Sequence, residues 1–499
     1  MNRIARSIAL VPLFFAMHGC GNSGSRPPPP VILDVNGGLS GSGTVGSLFI
    51  VDGSNFGQVT SASAGYSLDF RDATTNAVVA SATVNFADGD WNDLFISATV
   101  PAGLTASTTY DVTVTTPSGT SNALTFLVTG TPSFSPSTIS WSATSTLPAA
   151  LQGFPTVIAN VGTASYIYAL GGNTAGSSTP NGRAAASASV YTNQMAAATG
   201  ALLNATWGTT AELPAGRSFA AAVVADGFNS KVNSYSTIYV LGGLDATGAA
   251  TSTVYYASVD ASGAVPALGA GSWATTTALP QALYAHGAVI FQGRIYVAGG
   301  NDATDMPVSA VYSATINSNG TLGAWTTLPS LPDKRAYHQL LALGGRLYVV
   351  GGTNISAEPL SNAQSSGTQS TIFYDAVNLR DGSLMDATWT TNMLTLGKTR
   401  EKFSLVATGG YLLASGGLYV GATTGSSEES YAGVNADGSI GSFNGATGSH
   451  TITGSSGGYN FFNQSSAYFV DAAGNPHVII LGGEDVNTGS AHSEVWYQH

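Results

Sequence analysis

Three arginines stand at matching places in a chain with only 15 basic residues. Counting forward from Gly-Gly pairs that recur along the sequence aligns Arg335 with Arg400. Counting from a recurrent Leu-Pro pair brings Arg217 to the same place, which Leu151 and Leu283 occupy elsewhere. Three residues further on, His286 and His338 are equivalent, with Phe154, Ala220 and Phe403 as their counterparts. Tyr284, Tyr337, Lys334 and Lys398 lie close by in sequence. Guanidinium groups bind a carboxylate through two parallel hydrogen bonds, so a cluster of them suits an acidic ligand. The opposing reading is architectural, because a buried arginine is costly unless acceptors meet it. The histidines divide the same way, between contact with a ligand and packing, and packing is the expectation. Convergence of the elements that carry these residues decides the matter.

Those elements repeat. Gly-Gly pairs begin at Gly171, Gly242, Gly299, Gly351, Gly416 and Gly482, at intervals of 52 to 71 residues. Each closes a short apolar run such as "RIYVAGG" (294–300) or "RLYVVGG" (346–352). Upstream of each stands an aromatic: Trp141, Trp207, Trp273, Trp325, Trp389 and, in the last, Phe443. Leu-Pro follows the first four. Downstream comes a short run with Tyr191, Tyr255, Tyr312, Phe373, Tyr431 or Trp496. A fixed pattern at such a period marks one supersecondary unit used repeatedly. The unit reads as four antiparallel strands.

The pattern resembles the Kelch repeat over residues 139–499, and six copies imply a six-bladed β-propeller. The last unit stops at its third strand, "SEVWYQH" (493–499), while "ISWSATSTLP" (139–148) is a fourth strand with no partners before it. Their phase predicts that the N-terminal strand completes the final blade and closes the ring. The resemblance also places the segment after Leu-Pro at the mouth of a central channel. Arg217, Tyr284, His286, Arg335, His338 and Arg400 are therefore the funnel candidates. Asp245, Asp302 and Asp485, just past Gly-Gly, are expected to shape loops.

Ahead of the repeats, residues 31–129 hold seven alternating runs punctuated by Gly, Asn, Asp and Pro, which predicts a β-sandwich. "IVDGSNFG" (50–57) and "VTVTTPSGTSNALTFLV" (112–128) resemble the IPT/TIG immunoglobulin-like domain, a spacer or interaction module. Asp88, Asp90 and Asp93 are read as a solvated loop rather than a calcium site, since the EF-hand ligand spacing is absent. The overall expectation is an all-β chain: an immunoglobulin-like β-sandwich followed by a six-bladed Kelch propeller closed by an N-terminal fourth strand.

Residues 1–20 carry Arg3 and Arg6, then an apolar stretch, then the chain's single cysteine, Cys20. This is the layout of a secretory signal, and its end resembles a bacterial lipobox, with Cys20 the lipidated residue. Met17 and His18 depart from the usual pattern, and an ordinary secretory signal is the alternative. Residues 21–30, "GNSGSRPPPP", read as a tether. An outer-membrane lipoprotein facing the periplasm or the cell surface is expected, or a secreted protein if Cys20 is not lipidated.

Composition narrows the function. Charged residues make up 8% of the chain, and its formal charge is −12. An acidic body without a basic run argues against nucleic acid as a partner. A lone cysteine excludes an internal disulfide and multi-cysteine metal sites. It also excludes the Tyr–Cys crosslink of the copper radical oxidases that the architecture resembles. No S-x-D-x-G-x-x-W box of a sialidase is present. Two readings stand. The first is a non-catalytic binding propeller for a glycan or protein ligand, monomeric, without cofactor or metal, touching the membrane only through its lipid. The second is an enzyme resembling the six-bladed Kelch sialic-acid mutarotases. There Arg335 or Arg400 would hold the carboxylate, and Glu401 is the nearest candidate acid or base.

Overall fold

The computed structural model describes residues 27–498, apart from 36–39, 47, 58, 60–64, 85–90, 92–94, 130–140, 162–163, 178–181, 197–198, 226–235, 270, 344, 362, 379–380, 409–410, 419–428, 435–438, 446–452, 455–456, 459–460, 471–475 and 486–487. Cys20, the leader, most of the tether, and Asp88, Asp90 and Asp93 lie outside the described residues. What is described is β-structure, with a single short 3-10 turn at Gly182–Ala184. No described helix is long and apolar enough to cross a membrane.

Each of the seven alternating runs in the N-terminal segment contains a strand. Val31–Val35, Leu48–Ser54 and Phe95–Thr99 form one antiparallel sheet. Ser67–Asp72, Val78–Ser81, Thr108–Thr116 and Leu124–Thr129 form another, joined by Ser40–Thr44 running parallel to Leu124–Thr129. Both sheets contribute to one core, in which Phe49, Phe70 and Phe126 meet edge to face at 5.2–5.3 Å.

From Trp141 onward the described residues contain six four-stranded antiparallel sheets. The fourth is typical: Gln339–Leu343, Arg346–Val350, Ile372–Ala376 and Thr390–Thr391 follow one another as a meander. The first strands of the six are Thr156–Val161, Ala221–Ala225, Gly287–Phe291, Gln339–Leu343, Ser404–Thr408 and Ser465–Val470. Each neighbours the next, and the last returns to the first. The arrangement fits a Kelch-repeat propeller.

Its packing explains the apolar runs. A second strand such as Ala164–Leu170 is covered on both faces, so it reads as continuous apolar sequence rather than alternation. Ile167 and Ala169 pack towards the sixth sheet, while Tyr168 and Leu170 pack towards the second. One apolar cluster fills each of the six gaps between adjacent sheets. Polar tips of several large rings are satisfied across the gaps, as buried Tyr and Trp favour. Tyr168, Tyr239 and Tyr296 donate their hydroxyls to the carbonyls of Gly263, Gly320 and Gly382 in the next sheet, at 2.7–2.9 Å. Trp207, Trp273, Trp325 and Trp389 donate their indole N–H groups to the carbonyls of Ser145, Ala211, Thr277 and Pro329, just before Leu-Pro pairs, at 2.9–3.1 Å.

The sixth sheet joins the two ends of this region. Trp141–Ala143 pairs with Val495–Gln498, Trp141 opposite Gln498 and Ala143 opposite Trp496. This is the pairing that the phase of the repeats requires.

Candidate functional site

The Gly-Gly pairs fix how neighbouring sheets meet. In all six the second glycine donates its N–H to a carbonyl of the next sheet, at 2.7–2.8 Å: Gly172 to Arg217, Gly243 to Leu283, Gly300 to Arg335, Gly352 to Arg400, Gly417 to Phe461, and Gly483 to Leu151. The first glycine lies so close that a Cβ on Gly171, Gly242 or Gly299 would sit 2.4 Å from that same oxygen. Both glycines of every pair have positive φ. No other residue type meets both demands cheaply.

Two residues past each acceptor the chain turns left-handed. Gly153, Phe219, Ala285, Tyr337, Lys402 and Asn463 have φ between 52° and 58°. Each donates its N–H to the carbonyl of its counterpart in the preceding sheet, at 2.6–3.2 Å, and Gly153 donates to Asn463. The result is a closed circuit of six backbone hydrogen bonds around the axis. Five of its members are not glycine, and a left-handed residue with a Cβ costs about 1–2 kcal/mol. The circuit is a feature that sequence alignment passes over, since neither Phe, Ala, Tyr nor Lys announces such a conformation.

Against this circuit lies a cavity of about 120 Å³. It is lined by the six left-handed residues, by the residue after each, and by Gln339. His286 and His338 are among the residues that line it, together with Phe154, Phe403 and Gln464. Burial pushes His286 down to about 4. Burial also pushes His338 down to about 3, with the Arg335 charge and His286 adding to it. Both rings are neutral at physiological pH.

The arginines are placed differently from the expectation of a guanidinium funnel. Arg217 is 4% exposed, Arg335 1% and Arg400 0%, and none lines the cavity. Arg217 donates to the Gly216 carbonyl and the Tyr255 hydroxyl, with its guanidinium 4.9 Å from the Tyr255 ring centre. Arg335 donates to Asp333, the Lys334 carbonyl and Thr371, over the ring of Phe373. Arg400 donates to the Gly416 carbonyl at 2.8 Å. The physical reason is the left-handed turn two residues on, which leaves the arginine side chain in the wall and hands the axis to its successors. Lys398 is exposed, and Lys334 is half-buried outside the cavity lining. Glu401 is buried, accepting from the amide and hydroxyl of Ser365.

Tyr284 belongs to a second cluster. Its hydroxyl donates to Asp305 at 2.9 Å, and Arg183 grips both oxygens of the same carboxylate at 2.5 and 3.0 Å. Hydrogen bonding from Arg183 holds the Asp305 carboxyl below its ordinary range. Arg183 also donates to the Gly248 carbonyl and stands 4.0 Å from Glu358. Loops of the first four sheets thus meet at one point, each from the stretch between second and third strands. Asp245 and Asp302 cap turns in two of these loops, accepting from Thr247 and Ala249 and from Thr304 and Met306. Asp485 pairs with Phe461 in a short ladder.

The fourth of these loops also crosses the circuit. Carbonyls of Ala357, Glu358, Pro359 and Ser361 accept from Tyr337, Lys402 and Asn463 at 2.7–3.2 Å. The Lys402 ammonium sits over the rings of Tyr337 and Phe462. Burial pushes it down to about 8, against the pull of Glu401, Glu484 and Glu358. Lys402, Asn463 and Gln464 are site residues that sequence reading missed. Counting two and three places beyond the arginine position in every unit would have found them.

No protein-family model matches the chain. Among curated proteins, Kelch-like protein 13 of Bos taurus and of Homo sapiens are each 29% identical over 89 residues, 18% of this chain and 14% of theirs. Kelch-like protein 9 of Mus musculus is 28% identical over 89 residues, again 18% of this chain and 14% of its own. The match spans about a seventh of the length of these relatives. With the set of small antiparallel sheets, these likenesses fit a Kelch-repeat β-propeller.

Proposed function

We propose that the protein is a non-catalytic binding propeller: an IPT/TIG domain over residues 31–129 and a six-bladed Kelch propeller over 139–499. A lipid on Cys20 carries it to the bacterial outer membrane. Its ligand is a protein or glycan met by the face where the loops between second and third strands gather. One observation carries this reading. Arg183, Gly248, Asp305 and Glu358, from four different loops, are tied together through a single guanidinium. A rigid scaffold presenting preordered loops is what recognition favours, because less ordering entropy is lost on binding. The Kelch-like relatives point the same way, toward an interaction module.

Immobilised protein screened on a glycan array and against solubilised outer-membrane proteins tests this. Binding is expected, and Arg183→Ala/Asp305→Ala should weaken it at least tenfold while the fold melts within a few degrees of wild type. Absence of any ligand, or binding undiminished in the double variant, overturns it. Lipidation is tested separately: Cys20→Ser should move the protein from the membrane fraction to the soluble fraction.

A further inference from the structure

Three of the six left-handed residues carry more than their circuit asks of them. Gly153 and Ala285 keep their places in it with no side chain or a methyl group, so neither donor nor charge is needed there. Yet Tyr337, Lys402 and Asn463, on the fourth, fifth and sixth sheets, each carry a donor, and all three aim it at residues 357–361 of the fourth loop. The Tyr337 hydroxyl donates to the Ala357 carbonyl at 3.2 Å, and Asn463 Nδ2 to the Pro359 carbonyl at 3.0 Å. Lys402 Nζ donates to the Glu358 and Ser361 carbonyls at 2.7 and 2.8 Å. Ala357 and Leu360 pack against a cluster of Phe219, Leu244, Tyr284, Ala336 and Tyr337, drawn from the second, third and fourth sheets. Glu358 stands 4.0 Å from Arg183, on the loop of the first. The segment thus meets groups belonging to all six sheets, and only a strap laid across the axis reaches them all.

The strap is built as a unit. Its ends are joined at a neck: Asn354 donates its N–H to the Gly367 carbonyl at 3.1 Å, and the hydroxyls of Thr353 and Ser365 lie 2.6 Å apart. Glu401 pins the same neck by accepting from the amide and hydroxyl of Ser365. A compact loop closed on its own neck is an Ω-loop. One side of it faces solvent, with Ile355, Ser356 and Glu358 exposed. The circuit beneath is held by backbone hydrogen bonds among its own six members, none of which involves the strap. Lifting the strap therefore breaks side-chain bonds and the seat of Leu360, and leaves the ring closed. A segment held by few contacts on one side opens ahead of the structure that carries it.

We propose that residues 357–361 are a lid over the axial centre of the loop face, which lifts on its neck while the six sheets stay folded. Lifting uncovers the donors of Tyr337, Lys402 and Asn463 around the axis, so the lid governs whether the centre of this face presents them. No ligand is needed for this behaviour, so it stands or falls apart from the binding function proposed above.

Lys402 is the built-in probe, and Lys398, exposed on the same strand approach, is its control. The full-length protein is treated with an amine-acetylating reagent, and modification of each lysine is followed by mass spectrometry. Lys402 should react at least tenfold more slowly than Lys398. Its rate should change little in urea well below the unfolding midpoint, because local opening exposes little surface. Leu360→Ser, which removes the apolar seat of the lid, should speed acetylation of Lys402 at least tenfold while the protein melts within a few degrees of wild type. Lys402 reacting as fast as Lys398 would mean that the strap covers nothing. An unchanged rate in Leu360→Ser would mean that the reagent arrives by another route. Labelling that climbs with urea as global unfolding does, or a Leu360→Ser protein whose melting temperature collapses, would make the strap an inseparable part of the ring. Any of these overturns the proposal.

Discussion

Glu429 occupies a place that the other five sheets give to an aliphatic side chain: Val190, Val254, Val311, Ile372 and Val495. It is 2% exposed, and neither carboxyl oxygen has a hydrogen-bond partner of proper geometry. Burial pushes its pKa up to about 8, against the nearby Trp141 indole and Arg400, which favour the charged form. The folded protein therefore keeps this proton between roughly pH 4.5 and 8 while the unfolded chain has released it. Stability from this group is full below the unfolded value and is lost as pH rises through the folded one. At pH 7 the uptake costs on the order of 3 kcal/mol. Glu429→Val should accordingly raise the melting temperature at pH 7 by several degrees. The gain over wild type should shrink steadily as pH is lowered to 4. A variant that melts lower than wild type at pH 7, or whose gain ignores pH, would show that Glu429 is matched to partners in place. The buried histidines run in the opposite sense. Their folded pKa values of about 4 and about 3 lie below the unfolded one, so stability is lost as pH falls below about 6.5. His286→Phe/His338→Phe should hold its melting temperature better than wild type between pH 6.5 and 4.

At the scale of the elements, the Gly-Gly turn is the joint between sheets, and its glycines are not equal to others in the chain. A Cβ on Gly299 would lie 2.4 Å from the Arg335 carbonyl oxygen and 2.7 Å from His338, at a φ of 59°. A Cβ on Gly433, the last residue of a third strand, meets nothing nearer than 4.0 Å. Gly299→Ala should cost about 2–4 kcal/mol through strain and displacement of the next sheet. Gly433→Ala should be neutral or slightly stabilising, since it trims unfolded-state freedom. Urea unfolding of the two variants checks the contrast, and equal losses would mean that the joint can slide. These glycines were legible in the sequence because a backbone demand at six places selects one residue type six times. Four of the Trp positions were legible for the same reason, Trp207, Trp273, Trp325 and Trp389 each having one carbonyl to reach. The left-handed circuit was not, since its conformation is imposed by hydrogen bonds between sheets and tolerates Phe, Ala, Tyr, Lys and Asn. Nor was the strand Ser40–Thr44, whose "SGSGT" has no apolar alternation and which pairs in parallel with Leu124–Thr129. The arginines were aligned with one another and offered as funnel candidates beside the architectural reading, and the structure gives each of them partners within the wall. Alignment fixes a residue's place along the strand, while the turn beyond it fixes which way the side chain goes.

For the molecule as a whole, closure is the property on which the cavity depends. The first strands of the six sheets neighbour one another in a closed circuit, and the last sheet is completed by Trp141–Ala143 as its outermost strand. Between that strand and the rest of the sheet lies Val495–Gln498, paired on one side with Trp141–Ala143 and on the other with Pro476–Leu481. Its Trp496 fills the gap to the fifth sheet against Phe461, ring centres 4.7 Å apart. Val495 and Tyr497 fill the gap to the first sheet. Four residues thus hold two gaps and two ladders. A chain ending at Glu494 loses all of them at once, exposing a strand edge and apolar surface that invite association. It should melt far below wild type and aggregate at micromolar concentration. Removing the two-residue outer strand Thr390–Thr391 from pairing, by Thr390→Pro, should cost much less, because only Ile372–Ala376 meets it. Native-state hydrogen exchange of the intact protein gives the finer measure. If the clasp closes the ring, amides of Val495–Gln498 exchange only through global unfolding and match those of Arg346–Val350 in free energy. Exchange of the C-terminal strand by local fraying, several kcal/mol easier than Arg346–Val350, would mean that the ring opens at this seam while the other five sheets stay folded.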